Sequence, residues 1–153
     1  MADMFVESCE TFMKRGSKEG LTPLVATLLA DMETPLSAYW KLAHDDPHSF
    51  LLESVTGGEA LARYSMIGCR PKHIVSGHGR SLVIDGVVRE LEANQDLLAE
   101  AVRLIPPLGP EEAAGLPRLC GGAVGWIAYD YVRAIERLPE AAEDDLCLPD
   151  ISF

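Results

Sequence analysis

The sequence predicts an α+β fold built mostly on antiparallel sheet. Short apolar runs of strand length outnumber helical ones. Tight turn signals, above all Asp85-Gly86, join them across a few residues, which antiparallel pairs permit and parallel pairs do not. The 153 residues match the usual size of one domain, and a hydrophobic content of 48% supplies its core.

Taken in order, Phe5, Cys9, Phe12 and Met13 share one helical face, and Gly16 suits the end of that helix. Residues 24–30 are apolar and uncharged after Pro23, which predicts a buried strand. Thr34-Pro35 predicts a helix start, a hydroxyl cap followed by proline at the first helical position. Leu36, Tyr39, Trp40 and Ala43 would form its buried stripe. Beyond Pro47, residues 50–55 and 62–69 read as two strands joined by the flexible connector Thr56-Gly57-Gly58-Glu59. Residues 81–89 read as a hairpin whose Asp85-Gly86 turn suits type I′ geometry, both residues tolerating positive φ. Asn94 is placed to cap a helix carrying Leu97, Leu98, Ala101, Val102 and Ile105. Residues 106–117 hold four prolines and read as a loop inside the domain. A glycine-rich strand over 120–129, a short helix over 131–137, an acidic loop and a final strand from Leu148 complete the pattern.

The net charge of −11 repels phosphate backbones and anionic lipid, so neither nucleic acid nor a membrane surface is an expected partner. Solubility alone accounts for the acidity, with Glu140, Glu143, Asp144 and Asp145 as a solvated loop. Cys9, Cys69, Cys120 and Cys147 stand far apart and form no C-x-x-C pair, so neither a zinc knuckle nor a redox motif is indicated. A reducing compartment follows. Met1-Ala2-Asp3-Met4 opens no signal peptide, and no apolar run nears the roughly 20 residues of a membrane span. The expected location is the cytoplasm.

Several motifs are excluded by context. Gly121-Gly122-x-x-Gly125 lacks the lysine of a phosphate loop and precedes no helix, so its glycines read as sites of close backbone approach. His44 and His48 have helical spacing, but Pro47 between them rules out a helical metal pair. His73 and His78 have no partnered cysteine or acidic cluster. Asp45-Asp46 and Glu111-Glu112 read as solvated loop charge. Ser49, Ser65 and Ser81 lack a G-x-S-x-G context.

The strand at 50–55 is more informative. Strand alternation puts Phe50, Leu52 and Ser54 on one face, Leu51 and Glu53 on the other. A hydroxyl ending an apolar row suits a small ligand with a ring and a polar end; an ordinary turn serine is the other reading. Arg63 could clamp a ligand carboxylate with its planar fork or pair on the surface with Glu59 or Glu53.

Ser49-Phe50-Leu51-Leu52-Glu53-Ser54, the Gly57-Gly58 loop and Arg63-Tyr64-Ser65-Met66-Ile67-Gly68 resemble the amino-terminal domain of anthranilate synthase component I, a chorismate-utilising family. Gly121-Gly122-Ala123-Val124-Gly125-Trp126-Ile127-Ala128-Tyr129-Asp130, then Arg133 and Glu136-Arg137-Leu138-Pro139, continue the resemblance, which runs from the first helix to Leu148-Pro149-Asp150. Two departures stand out: the family more often has an aromatic residue at Met66 and a tyrosine at Trp126.

The resemblance implies one domain over residues 1–153 that is regulatory and architectural. It places Leu52, Glu53, Ser54, Arg63 and Ser65 at a site where L-tryptophan acts as feedback inhibitor. It implies no catalytic residue and no cofactor in this stretch, which alone would be inactive. The catalytic domain, with its Mg2+, is expected beyond Phe153. There chorismate and ammonia become anthranilate and pyruvate, a glutamine amidotransferase subunit (component II) supplying the ammonia. Component I of aminodeoxychorismate synthase shares the fold and is the nearest alternative. A stand-alone small-ligand-binding domain is the alternative from another class.

Overall fold

The computed structural model describes residues 5–6, 8–16, 20–53, 64–109, 115–116, 119–139 and 144–153. The predicted connector at 56–59, and the strand ends flanking it at 54–55 and 62–63, lie outside the described residues. The chain divides into two units, Met1–Pro71 with Pro106–Cys120, and Lys72–Ile105 with Gly121–Phe153.

The first unit holds strand β1 (Phe5–Val6), helix α1 (Cys9–Arg15), strand β2 (Ala26–Thr27), helix α2 (Pro35–Ala43) and strands β3 (Phe50–Glu53) and β4 (Ser65–Gly68). Helix α1 starts where Ser8 Oγ accepts the Thr11 N–H at 3.2 Å and ends where Gly16 N–H donates to the Phe12 carbonyl. Phe5 does not join it, because β1 pairs antiparallel with β2 instead.

The buried strand expected at 24–30 is not formed. Only Ala26–Thr27 is strand, and Leu24, Leu28 and Leu29 are exposed. An apolar run signals burial only where a partner surface exists to cover it.

Helix α2 begins as expected. Thr34 Oγ1 accepts the Ser37 N–H at 3.1 Å, Ser37 Oγ accepts the Thr34 N–H at 2.9 Å, and Pro35 needs no partner for its nitrogen. Its expected apolar stripe is split. Ala43 is buried and Tyr39 half-buried, but Leu36 and Trp40 are 65% and 64% exposed. Tyr39 and Ala43 are one turn apart and define the inner face; Leu36 and Trp40, likewise one turn apart, define another face turned to water.

The second unit holds strands β5 (Val75–His78), β6 (Ser81–Ile84) and β7 (Val87–Glu90), helix α3 (Leu97–Val102), strand β8 (Trp126–Ile127), a 3₁₀ helix (Tyr129–Ala134) and strand β9 (Ile151–Ser152). Its sheet runs β7-β6-β5-β9-β8, every pair antiparallel. The β6–β7 turn is the expected hairpin, with Asp85 at φ 52° and Gly86 at φ 81°. The Asp85 carboxylate accepts the Ile74 N–H at 2.9 Å and lies 2.8 Å from His73 Nδ1. The α+β class with antiparallel sheet is the observed one.

The core of this unit is Val75, Leu82, Leu91, Leu97, Ala101, Tyr131 and Ile151. Helix α3 sits on β5 at Gly77, where a Cβ would fall 2.6 Å from Leu97 Cδ2. Its cap is Asp96 rather than Asn94: Asp96 Oδ1 accepts the Ala99 N–H at 2.8 Å. The other oxygen, Oδ2, accepts the Tyr131 hydroxyl at 2.5 Å, so one carboxylate ties α3 to the 3₁₀ helix. Glu100, only 7% exposed, is held by Arg103 at 2.5 Å and Arg89 at 3.6 Å. The strand expected over 120–129 shrinks to Trp126–Ile127, and the helix expected at 131–137 is a 3₁₀ helix beginning at Tyr129. Gly125 shows the close approach expected of these glycines, since a Cβ there would stand 1.9 Å from the Ser152 carbonyl oxygen.

Two outcomes follow for the isolated chain. Gly125→Ala forces an overpacked contact against backbone and should cost about 1–3 kcal/mol, read as a lower urea midpoint; an unchanged midpoint would mean that the strands separate easily there. Tyr131→Phe should cost about 1 kcal/mol at neutral pH. Its hydroxyl holds the Asp96 carboxyl below the usual range, while burial and that carboxylate push the phenol up to about 12. A depressed carboxyl contributes above its ordinary value of about 3.9 and loses its contribution as pH falls through the folded value. The raised phenol contributes below the ordinary tyrosine value and loses it as pH rises through about 12. The deficit of Tyr131→Phe should therefore close in acid, and an equal deficit at pH 2 and pH 7 would contradict the assignment.

Candidate functional site

Strands β3 and β4 pair in one register: Phe50 with Gly68, Leu51 with Ile67, Leu52 with Met66 and Glu53 with Ser65. Directly opposed residues of an antiparallel pair share a face. One face therefore carries Phe50, Leu52, Met66 and Gly68, and the other carries Leu51, Glu53, Ser65 and Ile67. The Phe50 ring lies over Gly68, where a Cβ would be 2.1 Å from its Cε1 atom. Glycine leaves the opening that this ring fills.

Helix α2 packs on both strands. The connection from α2 into β3 is fixed by polar contacts that need no ligand. Tyr39 donates to Ser49 Oγ at 2.9 Å, and Ser49 donates to the Asp46 carbonyl at 2.7 Å. Asp46 Oδ1 accepts the His48 N–H at 2.9 Å, and Oδ2 accepts the Arg70 N–H at 2.5 Å, with Arg70 at φ 53°. The Arg70 and His48 amides hold the Asp46 carboxyl below its ordinary range. This anchored end of the hairpin borders a cleft lined by Lys41, His44, Asp45, Asp46 and Arg70. That cleft mixes both signs of charge, and its Asp46 is already occupied by two amides.

The opposite end of the hairpin carries the residues expected at the ligand site. Leu52 is 47% exposed, and Glu53 and Ser65 are exposed beside each other across the strands. Leu52 lies on the other face from Glu53 and Ser65, so the register separates an apolar contact from a polar pair. Ser54 and Arg63 lie outside the described residues. Met66, opposite Leu52 and half-buried, is part of the same surface. Alternation within β3 could not reveal that partner; only the register between the strands does.

Among the described residues, no group of three or more His, Cys, Asp or Glu could hold a metal ion. No described helix is long and apolar enough to cross a membrane. The four cysteines are free.

No family model matches the chain. It is similar to individual curated proteins, however, each named anthranilate synthase component 1. The protein of Mycobacterium tuberculosis (strain ATCC 25618 / H37Rv) is 42% identical over 155 aligned residues, covering 94% of this chain and 29% of the relative. That of Thermus thermophilus is 42% identical over 135 residues, covering 88% and 28%. That of Pseudomonas putida is 44% identical over 133 residues, covering 84% and 27%. The chain thus spans less than a third of the length of the curated relatives it matches.

Proposed function

We propose that this chain, which belongs with the anthranilate synthase component 1 family over nearly its whole length, is the amino-terminal regulatory and architectural part of an enzyme converting chorismate and ammonia to anthranilate and pyruvate. The observation that carries this reading is identity spread over 94% of the chain rather than confined to one motif. In this reading L-tryptophan binds where Leu52, Glu53, Ser54, Arg63 and Ser65 meet the catalytic part of the enzyme. Binding there favours an inactive state, a coupling between two sites. A glutamine amidotransferase subunit delivers the ammonia, and Mg2+ serves the catalytic part. The enzyme works in the cytoplasm.

The hairpin supports the regulatory half of this reading. Its anchored end is satisfied by its own hydrogen bonds, whereas its other end presents an exposed leucine on one face and an exposed carboxylate and hydroxyl on the other. An amino acid with a large ring needs such a combination: apolar surface for the ring and polar groups for the ammonium and carboxylate.

The activity is tested with the full-length protein, glutamine or ammonium, chorismate and Mg2+. Anthranilate fluorescence should appear, and an aminodeoxychorismate product in its place would assign the enzyme to the folate branch. This chain by itself should give none, because in this reading the catalytic part of the enzyme lies outside it; turnover above the buffer rate would move catalysis into it.

The regulatory site is tested by Ser54→Phe in the full-length protein. Loss of a hydrogen bond to a charged group costs about 1.5–3 kcal/mol, roughly ten- to hundredfold in affinity, and the added ring takes up space. Inhibition by L-tryptophan should disappear. A variant inhibited at the wild-type concentration would make Ser54 a strand-end residue only.

A further inference from the structure

We infer that Met66 is a further contact of the L-tryptophan ring and determines which ring-substituted analogues act as effectors. The inference rests on the reading that this hairpin belongs to the effector site.

A flat apolar ring cannot lie on both faces of a two-stranded ribbon. The register decides between them. On one face the outermost described pair is Glu53 and Ser65, a carboxylate and a hydroxyl. On the other it is Leu52 and Met66, both apolar, and Leu52 remains 47% exposed. The next pair inward on that face is closed, because the Phe50 ring already covers Gly68. Among the described residues, a ring held against Leu52 has Met66 directly across from it. Directly opposed Cβ atoms stand about 4.5–5.5 Å apart, so an indole spanning Leu52 reaches Met66 as well. The polar groups of the amino acid then lie toward the hairpin edge.

The chemistry of methionine adds a consequence. Its unbranched thioether has three rotatable bonds and packs favourably on aromatic rings. It can move aside for a substituent on the indole. An aromatic residue at the same place would keep the apolar contact but lose that accommodation, having only two side-chain torsions and a rigid ring.

The test uses the full-length protein and two effectors, L-tryptophan and 5-methyl-L-tryptophan, with half-inhibitory concentrations as the readout. Met66→Ala should raise the L-tryptophan value about five- to tenfold, the loss expected for removing most of one apolar side chain from a contact. Met66→Phe should leave L-tryptophan effective and weaken 5-methyl-L-tryptophan at least fivefold relative to it. A change in that ratio is something general destabilisation does not produce, and it decides the matter if Met66→Ala fails to fold. Ile67→Val, on the opposite face, should leave both values unchanged. Wild-type values and an unchanged ratio in the Met66 variants, with Leu52→Ala and Ser54→Phe desensitised, would overturn the role of Met66 and keep the effector site. A wild-type enzyme insensitive to L-tryptophan would overturn both.

Discussion

Phe50 lays its ring over Gly68, and only a residue without a Cβ can stand beneath it. This contact favours one register for β3 and β4, because a slip of one residue would put Ile67 or Cys69 opposite the ring and turn every side chain of one strand to the other face. The anchored end adds to it through Asp46, which holds the Arg70 amide just beyond β4 and the His48 amide just before β3. The hairpin therefore does not need a ligand to find its register. What it leaves unfilled is the far end, where Leu52 is exposed against Met66 on one face and Glu53 beside Ser65 on the other. The described part of this surface is held by the protein's own contacts and needs no ligand to order it.

The second unit uses the same economy of small residues and shared polar groups. Gly77 admits Leu97 of α3, and Gly125 admits the backbone of β9. One carboxylate, Asp96, both caps α3 and receives the Tyr131 hydroxyl, so a single side chain orients two elements around the core. Asp150 plays a comparable part for the sheet: its carboxylate accepts the Gly79 N–H and its own N–H donates to the Gly77 carbonyl.

The elements legible in the sequence were those fixed by local chemistry. Thr34-Pro35 states a helix start because cap and proline act within one turn. Asp85-Gly86 states a hairpin because only a few residues tolerate positive φ at both positions. Elements that depend on distant partners were not legible. Residues 24–30 look like a buried strand, yet burial needs a covering surface that apolar composition does not specify. Leu36 and Trp40 look like core, but the face of α2 that meets β3 and β4 is centred on Tyr39 and Ala43. Asn94 and Asp96 are both good caps, and Asp96 prevails because it also reaches Tyr131. At the candidate site, alternation along β3 was readable, but the partner of Leu52 was not. The connector between the strands is too long to set a register by its own turn chemistry, so Met66 stood out only as a departure from the family pattern.

The central claim is that the outer end of this hairpin receives L-tryptophan on its Leu52 face. Methyl NMR of the full-length protein, labelled at leucine and methionine, tests it most directly. Titration with L-tryptophan should shift the Leu52 and Met66 methyls together by the indole ring current, saturating over the concentrations that inhibit the enzyme. Complete inhibition with both signals unmoved would place the effector elsewhere.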